Sequence, residues 1–249
     1  MGASCPRQTS MVISRSYLTT LRSIHLPGQM PLTLHTLLDR QQYYDPTGAA
    51  ERLGICSAAW PLFGMLWPSG VLLAKKIAKR AIEPGQRILE IGCGLAIASM
   101  VAHRLGRNVT ASDRHPMAGR FLTKNLANNQ LPEMAYRYGQ WGRTEPASMA
   151  DTGAPELSER YEVIMGSDLL YEPDSPAEVS RFIHDHATAK SEVWIMDANR
   201  GYRNRFSRHM AEYGFSLAEE QRIQRLFAYN STETPKPYSG HFLLYRRDL

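Results

Sequence analysis

The stretch ILEIGCGLAIAS, residues 88–99, decides the fold. It continues RILEI (87–91), an apolar run that reads as a buried strand. Gly92-Cys93-Gly94 then turns the chain, and an alanine-rich helix follows from about Ala96 to Leu105. Glycines tolerate positive φ and let the backbone approach a ligand closely. The N-terminus of the next helix has amides without intrahelical partners, suited to a polar group such as a carboxylate. Glu90 precedes the loop, and Asp113 follows a second strand, NVTAS (108–112). Asp113 lies about 20 residues beyond the first glycine, where an acid can accept both hydroxyls of a ribose. The loop and Asp113 together point to a nucleoside cofactor.

Outward from this unit the chain alternates. A helix through FLTKNLANN is followed by strands at MAYRY (134–138), YEVIMGS (161–167) and EVWIM (192–196). Such alternation predicts a parallel sheet with helices on both faces. FSLAEE (215–220) and HFLLYRR (241–247) have no long helix between them, which predicts an antiparallel hairpin at the sheet edge. Upstream, Ser69 is placed to cap a helix through VLLAKKIAKRA, and Lys75, Lys76, Lys79 and Arg80 suit the C-terminal end of its dipole. From Leu32 to Trp67 the pattern predicts a short polar helix and then an irregular stretch broken by Pro and Gly. NAD is the competing nucleoside ligand. Its loop needs Gly-x-Gly-x-x-Gly, whereas Ile97 stands at the third position, and no second mononucleotide-binding half follows.

Composition narrows the class. Of 249 residues, 43% are hydrophobic and 21% charged, as in ordinary globular proteins. The longest apolar candidate, Ile55 to Leu73, is interrupted by Pro61, Gly64, Pro68 and Gly70, so no membrane span is expected. Cys5, Cys56 and Cys93 are far apart and lack zinc-ligand spacing, so no metal is expected and reduced thiols in a cytoplasmic protein are. His184 and His186 alternate on an expected surface helix and do not share a face. Residues 1–29 hold Arg7, Arg15 and Arg22 and no acid. Subtracting these three from the formal +5 leaves +2 for the rest, which argues against a nucleic-acid surface. Residues 1–29 read as a disordered tail or as the result of an upstream start codon with Met30 as the working start. Their composition also matches a mitochondrial transit segment. On the tail reading, a chain beginning at Met30 keeps its melting temperature.

Several elements in order resemble the seven-β-strand protein-lysine methyltransferases, whose members act on chaperones, translation factors and other proteins. They are LWPSGVLLA (66–74), ILEIGCGLAIAS, VTASDRHP (109–116), KNLANN (124–129), QWG (140–142) and GSDLLYEP (166–173). The last matches that group's Asp-x-x-Tyr motif at Asp168 and Tyr171. The resemblance covers about residues 50–249. It implies a single class I, Rossmann-like α/β domain over 30–249, with an N-terminal extension at 30–66. It also implies strand order 3-2-1-4-5-7-6 with strand 7 antiparallel, S-adenosylmethionine as cofactor, and a protein substrate carrying a target lysine. It puts Glu90, Gly92, Gly94 and Asp113 around the cofactor, with Trp141 against the adenine and Trp67 closing over it from the N-terminal side. Ala96 stands where a third glycine is common, and Gln140 where an acid is common.

Asp168 lies at the carboxyl end of a central strand, where open α/β sheets bind ligands. A lysine amine with a pKa of about 10.4 is almost wholly protonated at pH 7, and a carboxylate favours that cation. The expected role of Asp168 is therefore to orient the amine and stabilise developing positive charge rather than to act as a strong base. Tyr171 is expected to shape the channel or contribute a hydroxyl. Asn199, Arg200 and Tyr202, beyond the fifth strand, are candidate substrate contacts. A nucleic-acid amino-methyltransferase would carry a proline pair after Asp168, where Leu169-Leu170 stand instead. A small-molecule N-methyltransferase and a non-catalytic cofactor-binding adaptor stay open as alternatives, as does the oligomeric state.

Overall fold

The computed structural model of the chain describes residues 16–248 apart from Ile82 and Thr144. Its centre is a seven-stranded sheet in the order β5-β4-β3-β6-β7-β9-β8. The strands are β3 (Arg87–Ile91), β4 (Asn108–Asp113), β5 (Ala135–Tyr138), β6 (Tyr161–Ser167), β7 (Ala187–Asp197), β8 (Ser216–Phe227) and β9 (Lys236–Asp248). Counted from β3, this is the expected 3-2-1-4-5-7-6. The pairings among β3 to β7 are parallel, and β9 is antiparallel to both β7 and β8. No helix among the described residues is long and apolar enough to cross a membrane.

Helices α2 (Pro68–Ile77), α3 (Ile97–Arg104), α4 (Ala118–Asn128), α6 (Ser175–His186) and α7 (Arg203–Glu212) cover the sheet, with single turns α1 (Ala49–Arg52) and α5 (Met149–Thr152) beside it. One core joins α2, α3 and α4 to one side of the sheet, through Val71, Met100, Phe121, Met165 and Trp194. A second joins α6 and α7 to the other side, through Ile164, Ile183, Ile195 and Phe206. The central strands are buried on both faces, so they read as mainly apolar runs, with Glu90 a buried exception. Parallel strands fed by short loops put the ends of β3, β4, β6 and β7 on one edge of the sheet. There lie Ile91, Asp113, Ser167 and Asp197.

The N-terminal region departs from expectation. Residues 19–24 form β1 (Thr19–Ile24), not a tail, and pair antiparallel with β2 (Leu32–Leu37), where a helix was expected. LTLHTL alternates with period two, and Leu32, Leu34 and Thr36 are buried, with Leu37 beside them. That is a strand pattern. The boundary expected at Met30 falls inside the hairpin turn. Ile24 and Leu26 are buried, and Tyr17 packs against Trp60 and Phe121. Asn125 of α4 and Asn129 at its C-terminal cap bond the β2 backbone at His35 and Thr33. A chain beginning at Met30 is therefore expected to lose about 3–6 kcal/mol of stability, from two large apolar side chains alone. Denaturant titration checks this, and an unchanged midpoint would show that the hairpin contributes no stability.

Ser69 does not cap α2. The helix begins one residue earlier, with Pro68 at its first position and Trp67 extended before it. Ser69 is buried in the first turn, and its hydroxyl meets the Tyr238 hydroxyl at 3.1 Å.

Candidate active site

The edge where the parallel strands end holds a cavity of about 280 Å³, near the lower limit for small-molecule sites. Trp67, Glu90, Gly92, Gly94, Asp113 and Trp141 all line it, and so do Asp168, Tyr171 and Arg200. Asn199 and Tyr202 do not. Asn199 is exposed, with its amide on Asp197, and Tyr202, just before α7, is half-buried against the second core.

The glycine loop is tied to the two acids. Asp113 is buried at 8% exposure, and both its oxygens accept backbone amides: Oδ2 from Gly94 and Oδ1 from His115, each at 2.8 Å. Burial raises its pKa against these amides and the nearby Arg114 cation. Each oxygen keeps a lone pair for a hydroxyl. Glu90 accepts the Ser99 amide at 2.7 Å. Ser99 is the third residue of α3, and Ala96, before the helix, has no side chain to cap it. The Glu90 carboxylate does the capping from the neighbouring strand. The helix N-terminus expected to face the ligand has therefore given at least this amide to the protein's own acid.

Backbone approach explains the glycines. Gly94 has φ +52°, and a Cβ there would lie 2.9 Å from the Phe63 carbonyl oxygen. Gly92 has φ +56°, and a Cβ would strike Leu169 and approach the Trp141 ring at 3.1 Å. Ala96 adopts φ 54°, ψ 39°, the left-handed conformation for which glycine is common, at a cost of roughly 1–2 kcal/mol.

Phe63 and His115 are among the lining residues that were not anticipated. Phe63 comes from a 3₁₀ turn at Trp60–Gly64, and its ring stacks on His115 at 3.7 Å. Burial, with Arg114 nearby, holds the His115 pKa well below its ordinary value. Its Nδ1 accepts the Met117 amide, and Nε2 is buried without a partner. A neutral ring in that tautomer offers an unused Nε2–H donor. His115 follows Asp113 within SDRHP, which was the available signal; Phe63 had none. On the other wall the Trp67 indole donates to the Leu62 carbonyl, and the Arg40 guanidinium lies over its ring at 4.5 Å. Gln140 is turned away to the Tyr138 hydroxyl and the Leu53 carbonyl.

At the opposite end, Asp168 follows β6 with φ +55°, and its amide reaches the Met196 carbonyl of β7. Its carboxylate meets the Arg200 guanidinium fork to fork, at 2.7 and 2.8 Å. That hydrogen bond, followed by the Asp168 charge, raises the Arg200 pKa further. The Tyr171 hydroxyl is pushed above its ordinary pKa by burial, so it stays protonated at neutral pH.

The donor set suits a nucleoside bearing positive charge. Glu90 and Asp113 supply acceptors, His115 a spare donor, the Gly92–Gly94 turn a cradle that a Cβ would fill, and Trp141 an aromatic wall. Burial lifts the Glu90 carboxyl to about 7, opposed by the Ser99 bonds and assisted by the Asp113 charge. A raised folded-state pKa means stability that is full below the ordinary value of 4.5 and lost as pH rises through about 7. Glu90→Gln removes this titration while keeping an acceptor for Ser99. The unfolding free energy of wild type relative to Glu90→Gln is expected to fall by about 2–3 kcal/mol from pH 4.5 to 8. A pH-independent difference in urea titrations would refute it.

Residues 62–213, more than half of the chain, match the family described as lysine methyltransferase. The protein N-lysine methyltransferase METTL21A of Danio rerio is 30% identical over 141 residues, covering 54% of this chain and 57% of that protein. The histone-arginine methyltransferase METTL23 of Rattus norvegicus is 29% identical over 116 residues, covering 45% and 48%. The chain thus spans about half the length of these relatives. Among solved structures, a SAM-dependent methyltransferase from Methanosarcina mazei superposes with a TM-score of 0.52 at 11% identity, covering 74% of this chain and 99% of that one. A structure from work on thioacetal formation in echinomycin biosynthesis gives 0.52 at 16% identity, covering 80% and 91%. At those identities the likeness is one of fold. With the family match spanning the glycine loop, both acids and the Asp168–Tyr171 motif, this chain belongs to the lysine methyltransferase family.

Proposed function

We propose that this protein is an S-adenosylmethionine-dependent methyltransferase that modifies a lysine side chain of a protein substrate. The observation that carries the reading is the Asp168 carboxylate, which lines the cavity of the glycine loop and already holds a cationic side chain. When bound, the cofactor supplies an electrophilic methyl group on a positively charged sulfur. Glu90, Asp113, the Gly92–Gly94 turn, His115 and the Trp67 and Trp141 rings would hold it. Asp168 seats the incoming amine, fixes its direction and stabilises the positive charge that builds on nitrogen. The half-buried Tyr171 hydroxyl stays neutral and narrows the approach. Arg200 is 42% exposed at its side chain and flanked by Asn199 and Gly201, both at positive φ. It is built to leave Asp168 when a substrate cation arrives. Cytoplasmic action, expected from the cysteine pattern, is part of the same proposal.

A second acceptor is favoured by one observation. The carboxylate that would seat a lysine binds a guanidinium in bidentate geometry, the arrangement an arginine substrate would use. The test is transfer of radiolabelled methyl groups into a lysate from cells lacking the protein. Label that survives nuclease, is lost to protease and is recovered as methyl-lysine after hydrolysis supports the proposal. Methylarginine supports the second acceptor, and label sensitive to nuclease overturns both.

A further inference from the structure

Away from the cofactor cavity, a second cleft of about 660 Å³ lies between α2 and β8. Its rim is cationic. Lys75 comes from the last turn of α2, Lys79 from just beyond it, and Arg222 and Arg225 from β8. Among the described residues none of these four has an ion-pair partner. The nearby acids are committed elsewhere, Glu219 to Lys76 at 3.6 Å and Glu192 to Arg80 and Arg246 at 2.9 Å each. Partial burial and the crowding of Arg225 and Lys79 push the Lys75 pKa down. An anion in the cleft would relieve that repulsion.

The architecture selects the kind of anion. β8 is the outermost strand of the sheet, paired only with β9 among the described residues. Consecutive residues from Gln221 to Arg225 line the cleft. Neighbouring side chains on a strand point to opposite faces, so the cleft reaches the free edge and not one face alone. That edge offers backbone donors and acceptors to an extended peptide. The floor is unsuited to nucleic acid. Trp194 and Phe242 are buried, with Arg80 over one ring at 4.7 Å and Lys76 over the other at 4.2 Å, which leaves no open ring on which a base could stack. Gln221 and Arg225 share the α2 face of β8, Gln221 bonded to Lys76 and Arg225 near Lys75, while Arg222 flanks the free edge from the opposite face, about 10 Å from Arg225 along the strand.

We propose that this cleft binds a short, extended, acidic segment of a partner protein, laid along the free edge of β8. The inference does not depend on methyl transfer.

The test uses the full chain and a fluorescein-labelled peptide of alternating Glu and Val, which contains no lysine and so cannot be an acceptor at Asp168. Anisotropy at low salt is expected to show saturable binding that weakens with added salt. Lys79→Glu with Arg225→Glu is expected to weaken it at least about tenfold, with melting temperature as the check on folding. If that pair unfolds, Lys79→Gln with Arg225→Gln decides, with an expected loss of about threefold or more. A Gln/Val peptide of the same length should not bind, and N-methylation of alternate peptide amides should weaken binding about fivefold. No saturable binding, binding indifferent to the substitutions or to N-methylation, or tighter binding of an oligothymidylate of equal charge would each overturn the proposal.

Discussion

Asp168→Asn is expected to lower methyl transfer at least about a hundredfold, roughly 2.7 kcal/mol of barrier, while cofactor affinity changes by less than about threefold. The substitution keeps the shape of the side chain and part of its hydrogen bonding. It removes the charge that seats a cation and leaves Arg200 without its partner. The contrast with Arg200→Ala makes the result interpretable. Deleting Arg200 frees the carboxylate, so substrate KM should fall or hold steady, whereas loss of Asp168 should depress kcat. Steady-state kinetics of the two variants, with calorimetry of cofactor binding, provide the measurement. Equal losses of turnover and cofactor affinity in Asp168→Asn would place that residue among the cofactor contacts. Retained turnover would reduce it to a turn residue at the tip of β6.

Asp113→Ala is expected to do more damage than the loss of a ribose contact alone. The carboxylate holds the amides of Gly94 and His115. Orphaning two buried donors costs about 1–3 kcal/mol each, and the lost cofactor bond about 1.5–3 kcal/mol. Cofactor affinity should therefore drop about 10- to 150-fold, together with a clear loss of thermal stability. Asp113→Asn should recover part of the stability, because one oxygen still accepts an amide, and little of the affinity. Full affinity in a folded Asp113→Ala protein would remove Asp113 from the cofactor site.

The central sheet was legible because its strands are buried on both faces. RILEI and YEVIMGS are apolar runs bounded by turns, and their observed limits coincide with the reading. The N-terminal hairpin was obscured by composition. The lack of acids in residues 1–29 suggested a tail where TTLRSI forms β1, and LTLHTL, read as a short polar helix, has the period-two burial of a strand. The candidate site was legible where a known spacing joins consecutive strand ends, as at Gly92 and Gly94 after β3 and Asp113 at the end of β4. It was illegible where no spacing pattern links the partners. Asp168 and Arg200 read as two separate candidates, and nothing in the chain joins them until β6 and β7 lie side by side. Glu90 read as a ligand contact, and its capping of α3 appears only once the loop has folded back.

The antiparallel insertion of β9 has a consequence for biosynthesis. β7 pairs with β6 on one side and with β9 on the other, so one edge of a strand carrying Val193, Trp194, Ile195 and Met196 stays open until residues up to Asp248 have been translated. At roughly 5–20 residues per second, the interval from Asp197 to Asp248 lasts about 3–10 s. During that time the nascent chain presents an apolar, unpaired β-edge, the kind of surface on which wrong pairings form. β8, made earlier, can take the β9 position only by pairing out of order. The expected hazard on the ribosome is therefore a misregistered β7–β8 pair, and holding β7 covered until β9 arrives is the work a chaperone would have to do.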